Sequence, residues 1–235
     1  MIEPHRIRYR FDLPDGSAKT LEFRFDAVDF KMHKRPPADP PFWTELGFSK
    51  CANCPLQEST TPHCPAALQM AGAVEQLKAL VSFDKVGVTV IQAERTMHAE
   101  TTAQQAMSSV LGLIMATAGC PWTDHLRPMA RFHLPFASEA ETVYRSICMF
   151  LLAREITGSQ VSKGFAELEA LYKNLHVVNR DMSRRLGAAT RTDPARNAIA
   201  LLDSYTTLLP AALECSVDEL KPLFDAWKIK RNPAI

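Results

Sequence analysis

The 235-residue chain predicts an α+β protein: a small N-terminal antiparallel sheet, a hairpin plus a third strand, with one helix, followed by a four- to five-helix bundle. Three observations carry that class. Apolar residues alternate with charged ones twice over between Arg6 and Asp26, the period of two that belongs to strands. From Thr102 onward apolar positions recur at three and four, the spacing of one helix face. Between them lies a proline-rich, cysteine-bearing stretch with neither period.

Each element follows from its residues. Ile7, Tyr9 and Phe11 alternate with Arg6, Arg8, Arg10 and Asp12; after the turn signal Pro14-Asp15-Gly16, Leu21, Phe23 and Phe25 alternate with Glu22, Arg24 and Asp26. That is a hairpin with one buried aromatic face. Residues 34–42 hold four prolines, which cannot donate to a ladder, so the stretch is a linker or a strapped-down loop. Pro65 stands where a first helical residue belongs, which makes Cys64 the N-cap of a helix. Val86, Val88 and Val90 share a face as the third strand, and a hairpin needs such a strand and a helix to pack against.

The helices have marked starts. Thr102 with Gln105, and Ser138 with Glu141, have capping-box spacing. The run from Val110 to Gly119 is about half as long as a membrane crossing requires, and it is apolar on nearly every side, which predicts a central core helix. Leu168, Leu171, Tyr172, Leu175, Val178, Met182 and Leu186 form the stripe of an amphipathic helix ended by Gly187. Asp193 caps and Pro194 opens another, through about Leu209, and a last short helix follows Ser216, with Pro222 delaying or kinking it. The division is residues 1–95 as the small α+β region and 96–235 as the bundle, or one continuous domain.

Composition excludes several roles. Twenty-seven basic and 26 acidic residues leave a formal charge of +1, so no whole-molecule field draws the chain to nucleic acid or an acidic membrane. Its first residues alternate charged and apolar positions and lack the pattern of an export signal, so the expected location is the reducing cytoplasm. There, close cysteines hold metal or act in redox chemistry more often than they form permanent disulfides. No dinucleotide, Walker, zinc-protease or serine-hydrolase motif occurs, and whether the protein is an enzyme stays open.

The chemistry is concentrated in the cysteines. Cys51 and Cys54 have the C-x-x-C spacing with which two thiolates grip one ion from a single turn, and Cys64, ten residues on, closes a loop onto it. The preferred fourth ligand is Cys120, at the far end of the central helix; His63 is the alternative, although its adjacency to Cys64 makes a shared tetrahedral centre hard to reach. Zinc is the default ion for four thiolates, and such a site is structural because no position is left open. An iron-sulfur cluster is the rival, disfavoured because the dense third and fourth ligands of ferredoxin-type runs are absent. Zinc binding would contribute on the order of 10 kcal/mol to folding. A redox pair at Cys51 and Cys54, or a reactive thiol at Cys64 where a helix start favours thiolate, is the second reading. Inert buried cysteines are the third. Cys148, on a stripe with Tyr144, Ile147 and Leu151, reads as core; Cys215 has no assignment.

Arg95, His98, Arg127, Arg131 and His133 flank the central helix and could converge into an anion pocket, against the plainer reading that they satisfy helix ends and loop carbonyls. Arg180, Arg184, Arg185, Arg191 and Arg196 read as solvated helix charge rather than a nucleic-acid contact, with no interleaved aromatics.

The segments CANCPL, HCPAAL, ETTAQQAMSSVLGLIMATAGCP and ARFHLPFASEAET resemble the recurring segments of a bacterial protein family of unknown function. The resemblance implies a bacterial cytoplasmic protein in which Cys51, Cys54, Cys64, Cys120 and the Arg131-to-His133 segment belong to the shared pattern. The expected function is non-catalytic: binding of a protein or small-molecule ligand by a fold stabilised by a four-cysteine zinc site. The alternative is an iron-sulfur or thiol redox protein using Cys51, Cys54 and Cys64.

Overall fold

The computed structural model describes residues 3–34, 37–158, 165–189 and 193–228. Strands β1 (His5–Asp12) and β2 (Ala18–Phe25) form the hairpin, with Tyr9 opposite Leu21. Strand β3 (Lys85–Ile91) pairs antiparallel with β1, placing Tyr9 opposite Val90. Ile7, Tyr9, Phe11, Leu21, Phe25, Val86, Val88 and Val90 are all buried, so the period-two pattern faces one core.

A fourth strand, β4 (Thr96–Thr102), extends the sheet to the order β2-β1-β3-β4. The sequence reading missed it. Its side chains are exposed or half-buried throughout, so it carries no apolar alternation, and its ladder to β3 is what makes it a strand.

Helix α1 (Pro65–Gln76) starts at Pro65 with Cys64 as N-cap. Helix α2 (Ala103–Thr117) opens with a complete Thr102/Gln105 capping box. Eleven of its residues are buried, and it packs against α1, β3, β4 and the later helices, which is the central placement its composition predicts. A 3₁₀ turn (Asp124–Leu126) and the short α3 (Arg127–Arg131) lead to α4 (Glu139–Thr157), whose Ser138/Glu141 capping box is also complete.

Helix α5 (Ala166–Ala189) runs through Gly187 instead of ending there. A Cβ at Gly187 would lie 3.1 Å from Arg196 Cδ, so this glycine admits the neighbouring helix closely. Helix α6 (Pro194–Leu220) is longer than the stripe suggests, and a 3₁₀ segment (Lys221–Lys228) replaces the separate last helix. Pro222 falls in that segment, where the α-helical ladder has ended. Arg191 lies outside the described residues, as does the side chain of Cys215.

One apolar cluster runs from Ile7 in the sheet to Ile199 in α6, and a second joins α4 and α5 through Val143, Phe150, Leu168, Tyr172 and Leu175. Cys148 is exposed, contrary to the stripe assignment, because α4 buries the face of Val143, Ser146 and Phe150. Among the described residues, no helix is long and apolar enough to cross a membrane.

Candidate functional site

Three separate segments carry the cysteines to one region. The Cys51–Cys54 turn is closed by the Cys54 amide donating to the Cys51 carbonyl at 3.0 Å. It is strapped down from two sides. The Ala52 amide donates to Asp181 Oδ2 on α5 at 2.8 Å, and Asn53 Nδ2 donates to the carbonyl and side chain of Asn174 at 3.2 and 3.1 Å. From beyond α2, Trp122 Nε1 donates to the Asn53 carbonyl at 2.5 Å.

Cys64 is fixed by its amide, which donates to Thr44 O at 2.8 Å, and by the start of α1. Cys120 follows Gly119, whose φ of +88° turns the chain away from the end of α2 at low steric cost. The amides of Thr123 and Asp124 then donate to the Cys120 carbonyl, each at 3.0 Å.

Electrostatics place the four sulfurs in one neighbourhood. Burial pushes the Cys51 thiol up to about 12, and Cys64, Cys120, Asp181 and Cys54 each push it further in the same direction. Burial also raises Cys64 and Cys120, against the pull of backbone amides. Those amides repeat a pattern: Ala66 and Ala67 donate toward Cys64, Trp122 and Thr123 toward Cys120, in each case two and three residues beyond a Cys-Pro step. Among the described residues, no three His, Cys, Asp or Glu side chains stand close enough to form a ready-made metal site. At Cys64, burial outweighs the N–H donors of the helix start and raises the thiol pKa.

Beside the thiols sits a buried cation. Arg185 on α5 is 1% exposed; its Nη1 donates to the carbonyls of Trp43 (2.7 Å) and Glu45 (2.6 Å), and its Nη2 to Leu46 (3.2 Å). Its Nε has no partner among the described residues, and no carboxylate there pairs with it. The guanidinium charge reaches Cys64 and lowers its pKa. Neighbouring Arg180 and Arg184 instead grip Asp181. Burial works to raise Asp181, but hydrogen bonds from Arg180, the Ala52 amide and Arg184 hold it below the usual carboxylate range. Arg180, Arg184 and Arg196 are solvent-exposed as their charge leads one to expect, the first two also gripping Asp181, while Arg185 is buried.

His63, the alternative ligand, pairs through Nδ1 with Thr44 Oγ1 at 2.9 Å. The five anion-pocket candidates are dispersed. Arg95 is exposed at the β3–β4 turn, and His98 lies on the exposed face of β4 between Thr89 and Glu100. Arg127 is tied to Asp29 and Asp124, while Arg131 pairs with Glu94 and lies over the Phe30 and Phe132 rings. His133 is 9% exposed and pairs through Nε2 with Tyr9 Oη. Burial, aided by the Arg145 charge, pushes it down to about 3, so at neutral pH it is not a cation.

The structure also contains a cavity of about 320 Å³ inside the bundle, which the sequence reading did not find. Helices α2 to α6 and the segment after α3 line it, and His133 alone of the five candidates reaches it. Its polar lining includes Ser108, Asn179 and Arg145 together with Gln105, Thr123, Thr142 and Tyr205. Asn179, like Arg185 outside the cavity, is a polar residue on the buried side of α5, four residues after Leu175 as Arg185 is three after Met182.

Fold and site together define an α+β protein with a one-sided sheet, a helical bundle that lines a cavity, and cysteines brought toward one another from three segments. The family model for a domain of unknown function (DUF6901) matches residues 7–225, and the chain belongs to that family. No curated protein and no solved structure matches the chain.

Proposed function

We propose that this is a non-catalytic ligand- or partner-binding protein whose fold is fastened by a metal ion, zinc in the first instance, held by Cys51, Cys54, Cys64 and Cys120. The observation that carries the reading is the gathering of four thiols from a loop, a helix start and a helix end, each within reach of another's charge. The surroundings suit thiolate ligands. Backbone amides act on two of the sulfurs, and the buried Arg185, without a carboxylate among the described residues, would offset part of the negative charge of a four-thiolate zinc centre. Binding requires the side chains to draw inward and the thiols to give up their protons to the metal, which burial opposes at Cys51, Cys64 and Cys120.

The closed ligand set makes the role structural: it ties the Cys51–Cys54 turn and the start of α1 to the end of α2. Metal analysis of protein purified under reducing conditions tests it. About one zinc per chain is expected, retained by wild type and lost in Cys120→Ser. Metal-free protein of unchanged stability with freely titrating thiols would overturn it. Iron with sulfide and a brown colour would replace zinc with a cluster.

A further inference from the structure

The lining of the bundle cavity combines one arginine with neutral polar groups. Arg145 is half-buried there; its Nη2 donates to the carbonyls of Met129 (2.8 Å) and Phe132 (2.9 Å), and among the described residues it has no ion pair. Glu141, whose charge reaches Arg145, is held at the Ser138 amide at 2.7 Å. Tyr172 on α5 lies near Arg145 and is already bonded to Ser146 Oγ at 2.5 Å.

Asn179 stands seven residues further along α5, on the same face as Tyr172. That rise is about 10 Å, roughly the length of an extended eight-carbon chain. Asn179 is 5% exposed and lines the cavity, yet its side-chain amide makes no hydrogen bond among the described residues. Ser108 on α2 lines the same cavity and is also buried without a hydrogen bond among the described residues. Leu113, Leu175, Leu201 and Leu202 supply apolar wall. Asn179 and Ser108 both open onto the cavity, whose lining also carries Thr123, Thr142 and Tyr205, and both have donor and acceptor capacity for a molecule that enters it.

We propose that the cavity binds a small carboxylate with an extended apolar body: the carboxylate on Arg145, the chain against the leucine wall, and a polar group at its far end on Asn179 and Ser108. The volume is at the small end of ligand pockets, consistent with a ligand of about ten heavy atoms and not a large cofactor. This names the ligand class for the binding role above, and it stands on the cavity, not on the thiols.

The test uses octanoate, 8-hydroxyoctanoate and octan-1-ol as probes in calorimetric titrations of the full chain, with metal content measured in the same samples. Octanoate is expected to bind at least tenfold tighter than octan-1-ol. Arg145→Gln should erase that preference while leaving octan-1-ol binding unchanged, which also shows that the variant is folded. Asn179→Leu should abolish any advantage of 8-hydroxyoctanoate over octanoate. Equal affinity of wild type for octanoate and octan-1-ol, or no binding of either up to about 5 mM, would overturn the proposal without using any variant. An unchanged preference in Arg145→Gln would overturn it as well. Zinc-loaded protein that ignores octanoate would sink this inference alone; metal-free protein that binds octanoate would sink the metal reading alone.

Discussion

Arg185 is the side chain whose removal the structure makes most informative. Replacing it with methionine keeps much of the apolar stem but withdraws three donated hydrogen bonds, to the carbonyls of Trp43, Glu45 and Leu46. Each buried carbonyl left without a donor costs about 1–3 kcal/mol. Relief from burying a guanidinium offsets part of that, and the net expected loss is about 3–5 kcal/mol, the range found when one partner of a buried charged contact is removed. Urea unfolding of metal-replete Arg185→Met at pH 7, with the slope unchanged, measures it. The same variant should hold zinc at least tenfold more weakly against a chelator, because the offsetting charge beside Cys64 is gone. A stability within about 1 kcal/mol of wild type would refute the reasoning, since it would mean that these carbonyls find water as easily as they find Arg185.

Three further outcomes follow from separate parts of the fold. His133 is neutral in the folded protein down to about pH 3, whereas its ordinary value is 6.5, so the unfolded chain takes up a proton first as pH falls; stability is whole above about 6.5 and drains toward 3. Each pH unit inside that window removes at most about 1.4 kcal/mol, so between pH 7 and 4.5 wild type should lose about 2–3 kcal/mol more than His133→Asn, and equal losses would contradict it. Asp181→Ala frees the Ala52 amide and two arginines, so limited proteolysis should cut the turn between Cys51 and Cys54 faster, with about 2 kcal/mol lost in urea; an unchanged cleavage rate would count against the strap. Ser138→Ala should cost about 1 kcal/mol through the broken capping box of α4, and a thermal midpoint equal to wild type would contradict that.

The elements legible in the sequence were those whose burial is written in a simple period. The hairpin announced itself because Ile7, Tyr9 and Phe11 all point to one core, and α2 and α4 because their capping boxes are local chemistry. Strand β4 was not legible, since an exposed edge strand is defined by its partner β3 and not by its own side chains. Cys148 misled because two stripes coexist on α4, and only the tertiary neighbours choose which is buried.

The site divides the same way. The C-x-x-C spacing, the Cys-Pro steps and the position of Cys120 at a helix end were all visible in the residues. In the arginine run, Arg180, Arg184 and Arg196 are exposed as a run of arginines normally signals, and Arg185 is the one that departs from it among the described residues. The clue was that Arg185 interrupts the apolar stripe between Met182 and Leu186, and a charge at a core position asks for buried acceptors. The cavity had no local signal, because Arg145, Asn179 and Ser108 come from three helices whose packing no single periodicity encodes.

Zinc-edge X-ray absorption of the purified protein tests the central claim most directly. A first shell of four sulfurs at about 2.3 Å is expected, reduced to fewer sulfurs or lost in Cys120→Ser. A shell dominated by nitrogen or oxygen, or protein that takes up no metal while its thiols remain reduced, would contradict it.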